Sequence, residues 1–131
     1  MLATSEIRRI ALARLRDAEV LLSAKRYDGA VYLCGYAVEL ALKARICKTL
    51  KWPGYPESNK EFERLASFKI HDLDVLLRLT GREASVKTGF LVEWSAVAAW
   101  NPEARYRPIG SANAGDAELM LESATVLLKK L

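Results

Sequence analysis

The chain has 131 residues, of which 51% are hydrophobic and 27% are charged, and its formal net charge is +4. A chain of this length can bury a hydrophobic core without disulfides or metals, and the composition excludes a disordered protein. The modest positive charge permits an anionic partner without identifying one, since dedicated nucleic-acid-binding proteins carry denser basic stripes. We expect one domain that spans residues 1–131.

The cysteines and the N-terminal residues bear on where the protein resides. Cys34 and Cys47 fall in one predicted helix, about 20 Å apart at ~1.5 Å per residue, so they cannot form a disulfide with each other. No metal-ligand spacing accompanies them, and we expect free thiols in a reducing compartment and no metal site. The first residues lack the apolar core of a signal peptide, and no apolar run is long enough to span a membrane. These features predict a cytoplasmic protein.

Two long helices are predicted in the first part of the chain. The first is amphipathic and takes its N-cap from Thr4 or Ser5. Its inward residues recur at helical spacing: Ile7, Ala11, Leu15, Ala18 and Leu22. The second helix is capped by Asp28, runs through residues 30–50, and is apolar nearly all round with many small residues. Such a helix is typical of the centre of a bundle.

The remainder of the chain predicts three further helices after a polar segment, 57–69, that holds one irregular helical turn. The third helix begins near His71 and ends at Gly81, because glycine readily adopts the left-handed conformation that terminates a helix. The fourth helix covers residues 84–100 and the last covers residues 114–131.

The fold class that follows is all-α, an up-and-down bundle of about five helices. On the fourth helix, Trp94 and Trp100 are six residues apart and cannot share one face. We therefore expect at least one of the two indoles near the surface or at a subunit contact.

The first two helices contain residues that resemble the signature of a known family. The residues are Ala18-Glu19, Arg26-Tyr27-Asp28-Gly29-Ala30 and the string GYAVELALKA from Gly35 to Ala44, followed by His71-Asp72-Leu73 and Arg105-Tyr106. This pattern resembles the HEPN domain over residues 11–128. The resemblance implies a bundle of about five helices, commonly a homodimer, in a family whose members bind nucleotides, cut RNA, or accompany a small nucleotidyltransferase in toxin–antitoxin pairs.

Catalytic candidates are few because His71 is the one histidine of the chain. Ribonucleases of the HEPN family resemble one another in an arginine followed, after four to six residues, by a histidine, and Arg64 and His71 match that spacing. Histidine can accept the proton of a ribose 2′-hydroxyl while arginine stabilises the phosphate charge. The pair nevertheless precedes the short third helix, whereas these nucleases usually carry the motif on a later helix. The alternative is a structural His71, bonded to Asp72 or to a backbone carbonyl at the start of the helix.

A second set of candidates surrounds Glu39, an ionisable residue within an otherwise apolar helix. Such a group needs a partner, and Lys43 lies one turn away on the same helical face as two tyrosines. One interpretation is a structural ion pair that fixes how the helices meet. The other is a nucleotide-binding cleft formed by Tyr32, Tyr36, Glu39, Lys43, Arg105, Tyr106 and Arg107.

These observations predict a binding module rather than an enzyme. We expect a HEPN-like homodimer that binds a nucleotide or RNA, a nucleotidyltransferase partner, or both, within a toxin–antitoxin pair. No cofactor and no membrane association are expected, and the chain has no glycine-rich phosphate loop. The first alternative is a metal-independent ribonuclease toxin that uses Arg64 and His71. The second is a structural accessory subunit of a separate enzyme.

Overall fold

Seven α-helices account for most of the chain in the computed structural model, which describes residues 1–131 and confirms the all-α class. The helices are α1 (Thr4–Ser23), α2 (Tyr27–Leu50), α3 (Asn59–Phe62), α4 (Leu73–Leu79), α5 (Glu83–Gly89), α6 (Leu91–Val97) and α7 (Ala114–Lys130). Two single 3-10 turns occupy Ala66–Phe68 and Pro102–Tyr106. Strands β1 (Leu2–Ala3) and β2 (Gly54–Tyr55) form a short antiparallel bridge.

Helix α2 lies at the centre of the bundle, as its apolar composition predicts. It packs against α1 along one side and against α7 along another, with α4 on a third. Twelve of its residues are buried, and most of them are small or aliphatic. No helix combines the length and the hydrophobicity that a bilayer crossing requires.

The beginning of α1 differs from the prediction. Ala3 is the N-cap residue, and neither Thr4 nor Ser5 caps the helix. The hydroxyl and the backbone N–H of Thr4 both donate to the carbonyl of Pro53, at 3.2 Å, so this side chain joins α1 to the loop after α2. The buried face of the helix is the predicted one, from Ile7 to Ala18, but the predicted inward residue Leu22 is only half-buried.

The cap predicted for α2 is also wrong. The helix begins at Tyr27, and Asp28 lies inside its first turn. The Asp28 carboxylate instead accepts hydrogen bonds from the backbone N–H groups of Gly110 (2.7 Å) and Ala112 (2.8 Å). These two N–H groups belong to a loop far along the chain, and they occupy the carboxylate oxygens that would otherwise have capped α2.

The predicted fourth helix is two helices, because the chain turns at Phe90 between α5 and α6 (φ −135°, ψ 41°). The turn follows Thr88 and Gly89, which are both weak helix formers, and glycine is a common site of helix kinks. Helix α6 ends at Val97, so Trp100 lies in the turn beyond it and the spacing rule for one helix does not apply. Both Trp94 and Trp100 are buried within the chain, so the expectation that one of them lies near the surface or at a subunit contact is wrong.

The other helix boundaries agree with the sequence. Gly81 follows α4 with a left-handed backbone (φ 74°), as predicted for a terminating glycine. The polar segment contains the short α3 and one 3-10 turn, which is the irregular helical structure expected there. Helix α7 begins with a capping box in which Asn113 and Asp116 each accept a hydrogen bond from the other's backbone N–H.

Candidate functional site

The Glu39 carboxylate is the buried charge of α2, and its side chain is only 1% exposed. One oxygen, Oε1, lies 2.7 Å from Nδ1 of His71, and the other, Oε2, lies 3.6 Å from Nζ of Lys43. A buried carboxylate is costly to desolvate unless it is paired and hydrogen-bonded; His71 lies within hydrogen-bond distance of one oxygen, and Lys43 supplies a counter-charge near the other without a hydrogen bond.

The neighbouring elements hold this cluster in place. His71 lies two residues before α4, whose Asp74 and Val75 N–H groups donate to the carboxylate of the N-cap residue Asp72. Nζ of Lys43 lies 5.3 Å from the ring centre of Tyr55, whose hydroxyl donates to the Phe68 carbonyl at 2.6 Å. Burial raises the pKa of Tyr55, so this phenol stays protonated and remains a donor. The cluster therefore connects α2 with both ends of the polar segment.

The partner of His71 is Glu39, which neither interpretation of this histidine from the sequence had identified. A neutral imidazole that donates from Nδ1 to a carboxylate keeps Nε2 as a proton acceptor. The His71 side chain is 57% exposed, so the ring is anchored at one nitrogen while much of it stays open to solvent. This arrangement can act as a general base on a bound substrate.

Arg64 lies on the exposed connection between α3 and the following 3-10 turn. Its guanidinium forms no hydrogen bond and no ion pair with any residue, including His71. The two residues of the arginine–histidine spacing are thus on the same segment, but no hydrogen bond or ion pair joins them.

Three aromatic rings form a second cluster at the other end of the polar face of α2. The Tyr32 ring centre lies 6.0 Å from those of Tyr36 and Trp100, and Tyr36 meets Trp100 edge to face at 6.2 Å. Burial raises the pKa of Tyr36, and the negative charge of Glu39 raises it further. Tyr36 therefore packs within the aromatic cluster and also interacts electrostatically with the buried Glu39 carboxylate.

Next to Tyr32 the surface encloses a cavity of about 490 Å³ between α2, the 3-10 turn after α6, and the start of α7. Tyr32, Arg105 and Arg107 line it together with an apolar set: Val31, Ala96, Ala104, Pro108, Ile109, Leu119 and Met120. The carboxylates of Asp28 and Asp116 also line the cavity, and both accept backbone hydrogen bonds nearby. The cavity thus combines one aromatic face, two cations, two carboxylates and an apolar floor, and a mostly apolar pocket with a few polar groups is typical of a small-molecule site.

The two arginines of this cavity carry exposed charges. The Arg105 guanidinium lies 4.8 Å from the ring centre of Tyr106, and the phenol oxygens of Tyr106 and Tyr32 raise the pKa of Arg105. Arg107 lies two residues further on and is also exposed. Neither guanidinium forms an ion pair, because the Asp28 and Asp116 carboxylates of the cavity accept backbone N–H groups instead, so both arginines can contact an anionic ligand.

The seven residues proposed from the sequence as one cleft are thus distributed over two places. Tyr32, Arg105 and Arg107 line the cavity, whereas Glu39 and Lys43 belong to the buried cluster with His71. Tyr36 and Tyr106 contact cavity residues without lining it themselves. Nowhere in residues 1–131 do three or more histidine, cysteine, aspartate or glutamate side chains converge as a metal ion requires.

Comparison with known proteins identifies the family. The family model described as the HEPN domain matches residues 4–131. The chain has no significant match among curated protein sequences or among solved structures. The match extends over nearly the whole chain and agrees with the helical bundle and with the string on α2 that resembles the family signature. The chain therefore belongs to the HEPN domain family.

Proposed function

We propose that the protein binds a nucleotide, either free or as part of an RNA strand, in the cavity beside Tyr32. The observation that carries this proposal is the presence of Arg105 and Arg107 at a cavity of about 490 Å³ that Tyr32 also lines. A purine or pyrimidine has an apolar π-face that stacks on tyrosine, and its phosphates need cations that are not already paired. Both requirements are present within one cavity.

Titration with nucleotides tests this site directly. Trp100 lies 6.0 Å from the Tyr32 ring, so its fluorescence reports on a base that enters the cavity. We expect AMP, ATP or a short oligouridine to change this fluorescence saturably, and Arg105→Ala and Arg107→Ala each to weaken binding by about tenfold. Arg16→Ala, which removes an exposed arginine on α1, serves as the matched control and should leave the affinity unchanged. The proposal is wrong if none of the ligands binds to the unmodified protein.

A second candidate function is metal-independent RNA cleavage with His71 as the base. The observation in its favour is the 2.7 Å contact that orients the imidazole against a buried carboxylate while 57% of its side chain stays exposed. Arg64 would stabilise the phosphate, since its exposed guanidinium has no other partner. In this reaction the 2′-hydroxyl proton passes to Nε2 of His71 as the 2′-oxygen attacks the phosphorus, and the bond from phosphorus to the 5′-oxygen breaks. The 5′-oxygen takes up a proton from solvent, His71 later returns its proton to solvent, and a 2′,3′-cyclic phosphate remains.

Incubation of labelled RNA with the protein in the presence of EDTA distinguishes the two functions. If the protein is a nuclease, cleavage persists without metal and disappears in both His71→Ala and Arg64→Ala, and production of the protein slows bacterial growth while His71→Ala does not. If it is a binding module only, the RNA stays intact although it is retained. Cleavage that survives in His71→Ala would rule out this residue as the base.

We also propose that the protein acts in an assembly, as a homodimer or with a small nucleotidyltransferase, within a toxin–antitoxin pair. Apolar side chains exposed on two outer helices support an assembly: Leu12, Val20, Leu91 and Val92. Light scattering of the purified protein and co-purification with the product of the adjoining gene test this. A monomer that retains no partner would contradict the proposal, whereas a partner complex without nucleotide binding would favour a structural accessory subunit.

A further inference from the structure

A second concave surface lies at the opposite end of α2 from Tyr32. It encloses about 680 Å³ between the start of α1 and the C-terminal ends of α2 and α7. Six cationic side chains line it, which we call the basic groove: Arg8, Arg45, Lys48, Lys51, Lys129 and Lys130. No aspartate or glutamate contributes to its lining.

No aspartate or glutamate side chain pairs with a cation of the basic groove. The chain forms ten ion pairs, and none of them involves a residue of the groove. Elsewhere the cations Lys43, Arg78 and Lys87 each have a carboxylate partner. Lys130 does contact an aromatic ring, with Nζ 5.5 Å from the centre of Phe90, but this contact supplies no negative charge.

Arg45 is the least exposed of the six groove cations, and one of its N–H donors lacks a hydrogen-bond acceptor. The side chain is half-buried on α2, and its Nε atom is buried without any hydrogen-bond partner. Burial lowers the pKa of Arg45, and the positive charges of Arg82 and Arg8 lower it further. A buried N–H donor that lacks an acceptor is destabilising, and an anion bound against the guanidinium would supply the missing acceptor.

Helix dipoles do not account for this concentration of charge. Lysines at the C-terminal ends of α2 and α7 complement the partial negative charge there, which is about half a unit per helix. The two helix ends thus offset roughly one of six positive charges. They also give no reason for Arg8, which lies near the N-terminal end of α1, or for the unpaired Nε of Arg45.

Lys51 lines the groove and ends α2 in a left-handed conformation that Lys25 also adopts after α1. It has a left-handed backbone (φ 57°, ψ 38°) directly after α2, where glycine or asparagine is usual. The turn directs the chain into Trp52, which also lines the groove and packs edge to face on Phe68.

We propose that the basic groove binds the phosphodiester backbone of single-stranded RNA, with several consecutive phosphates against its six cations. The volume of about 680 Å³ and the spread of the cations over three helices suit a chain of phosphates better than one phosphate group. The half-buried Trp52 offers a ring to a base or ribose, which favours RNA over inorganic polyphosphate. Tyr32 and Arg45 are 13 residues apart on α2, about 20 Å at ~1.5 Å per residue, so this site is separate from the cavity proposed above.

The test measures binding of fluorescein-labelled oligouridine by anisotropy over a range of salt concentrations, with saturating AMP present so that the Tyr32 cavity is already occupied. The variants are the exposed double Lys48→Glu/Lys51→Glu, the exposed double Lys129→Glu/Lys130→Glu, and Arg45→Gln. Arg9→Glu/Arg16→Glu imposes the same change of net charge on the exposed side of α1 and is the matched control. We expect each groove variant to weaken binding by about tenfold or more and to reduce the slope of log Kd against log salt by about 1 to 2, with little effect in the control.

Equal weakening in the control and the groove variants would overturn the proposal, because it would show a non-specific charge effect. Displacement of the RNA by tripolyphosphate as efficiently, per phosphate, as by unlabelled oligouridine would overturn the assignment to RNA. Binding of AMP at the Tyr32 cavity should be unchanged in the groove variants, so failure at one site is distinguishable from failure at the other. Circular dichroism of each variant establishes that a loss of binding does not reflect a loss of fold.

Discussion

The indole of Trp100 lies so close to the backbone of Gly35 that a Cβ atom at residue 35 would be 2.2 Å from the ring carbons. No real Cβ contact is that short, so α2 and the turn after α6 can meet only where the side chain is absent. Trp100 contacts Tyr32 and Tyr36, one on each side of Gly35 in the sequence. A residue without a side chain therefore sets the position of the tyrosine that lines the candidate nucleotide site.

Gly35→Ala is expected to destabilise the protein although alanine is the better helix former. The clash with a large buried ring costs about 1–3 kcal/mol, which exceeds the ~1 kcal/mol that alanine gains in helix propensity. Urea unfolding measures the difference. Gly89→Ala is the matched control, since a Cβ there meets nothing within 4 Å, and it should be neutral or slightly stabilising. A variant at residue 35 as stable as the unmodified protein would show that Trp100 can move freely.

Glu39→Gln should cost about 1–3 kcal/mol in the free energy of unfolding. The amide keeps the shape of the side chain and can still bond His71, but it leaves the ammonium of Lys43, only 15% exposed, without a counter-charge. Adding Lys43→Met to Glu39→Gln should recover part of the loss, because the unpaired cation is then removed.

The matched control for this pair is Glu6→Gln, which breaks an exposed contact with Arg9. Surface ion pairs contribute little, and we expect a change below about 0.5 kcal/mol. If Glu39→Gln were as mild as Glu6→Gln, the buried ion pair would not be a structural element of α2.

The helical bundle could be predicted from the sequence because periodic apolar residues and strong terminators act locally. The stop at Gly81 and the buried face of α1 are examples. The caps could not be predicted in this way, because Asp28 and Thr4 each found acceptors or donors on loops far along the chain. Local preference favoured capping, and tertiary hydrogen bonds overrode it.

The candidate site was predictable in its residues but not in their grouping. The burial of Glu39 and its pairing with Lys43 follow from helical spacing alone. Its contact with His71 joins residues 32 positions apart and depends on how α4 packs against α2. The basic groove could not be predicted either, because Arg8, Arg45 and Lys130 lie on three different helices and come together only in the packed bundle.

Low pH should release the loop that Asp28 holds. The N–H groups of Gly110 and Ala112 lower the pKa of Asp28 below its ordinary value of 3.8. Because the folded-state pKa is the lower one, the stabilisation is complete above the unfolded-state value and is lost as pH falls through the folded-state value. We therefore expect the loop to loosen below about pH 4, and Asp28→Asn to loosen it at every pH.

Amide hydrogen exchange at residues 110 and 112 provides the measurement. At neutral pH both amides should exchange more slowly in the unmodified protein than in Asp28→Asn, while Asp17→Asn, at an exposed pair with Arg14, should match the unmodified protein. Protection at residues 110 and 112 that is indifferent to Asp28→Asn would show that other contacts hold the loop. Since Arg107 and Ile109 line the nucleotide cavity, loosening of this loop should also weaken nucleotide binding.

The two cysteines should be unreactive in the native protein. Both are free and buried, and burial raises the pKa of Cys34 to about 12. At pH 8 roughly one molecule in ten thousand would then carry the Cys34 thiolate, which is the reactive form. A thiol reagent such as DTNB should therefore modify neither cysteine until the bundle opens, and both within seconds in denaturant. Because Cys34 adjoins Gly35 on α2, modification should be faster in Gly35→Ala than in Gly89→Ala. Rapid native modification at equal rates in both variants would mean that this part of the core opens without displacing Trp100.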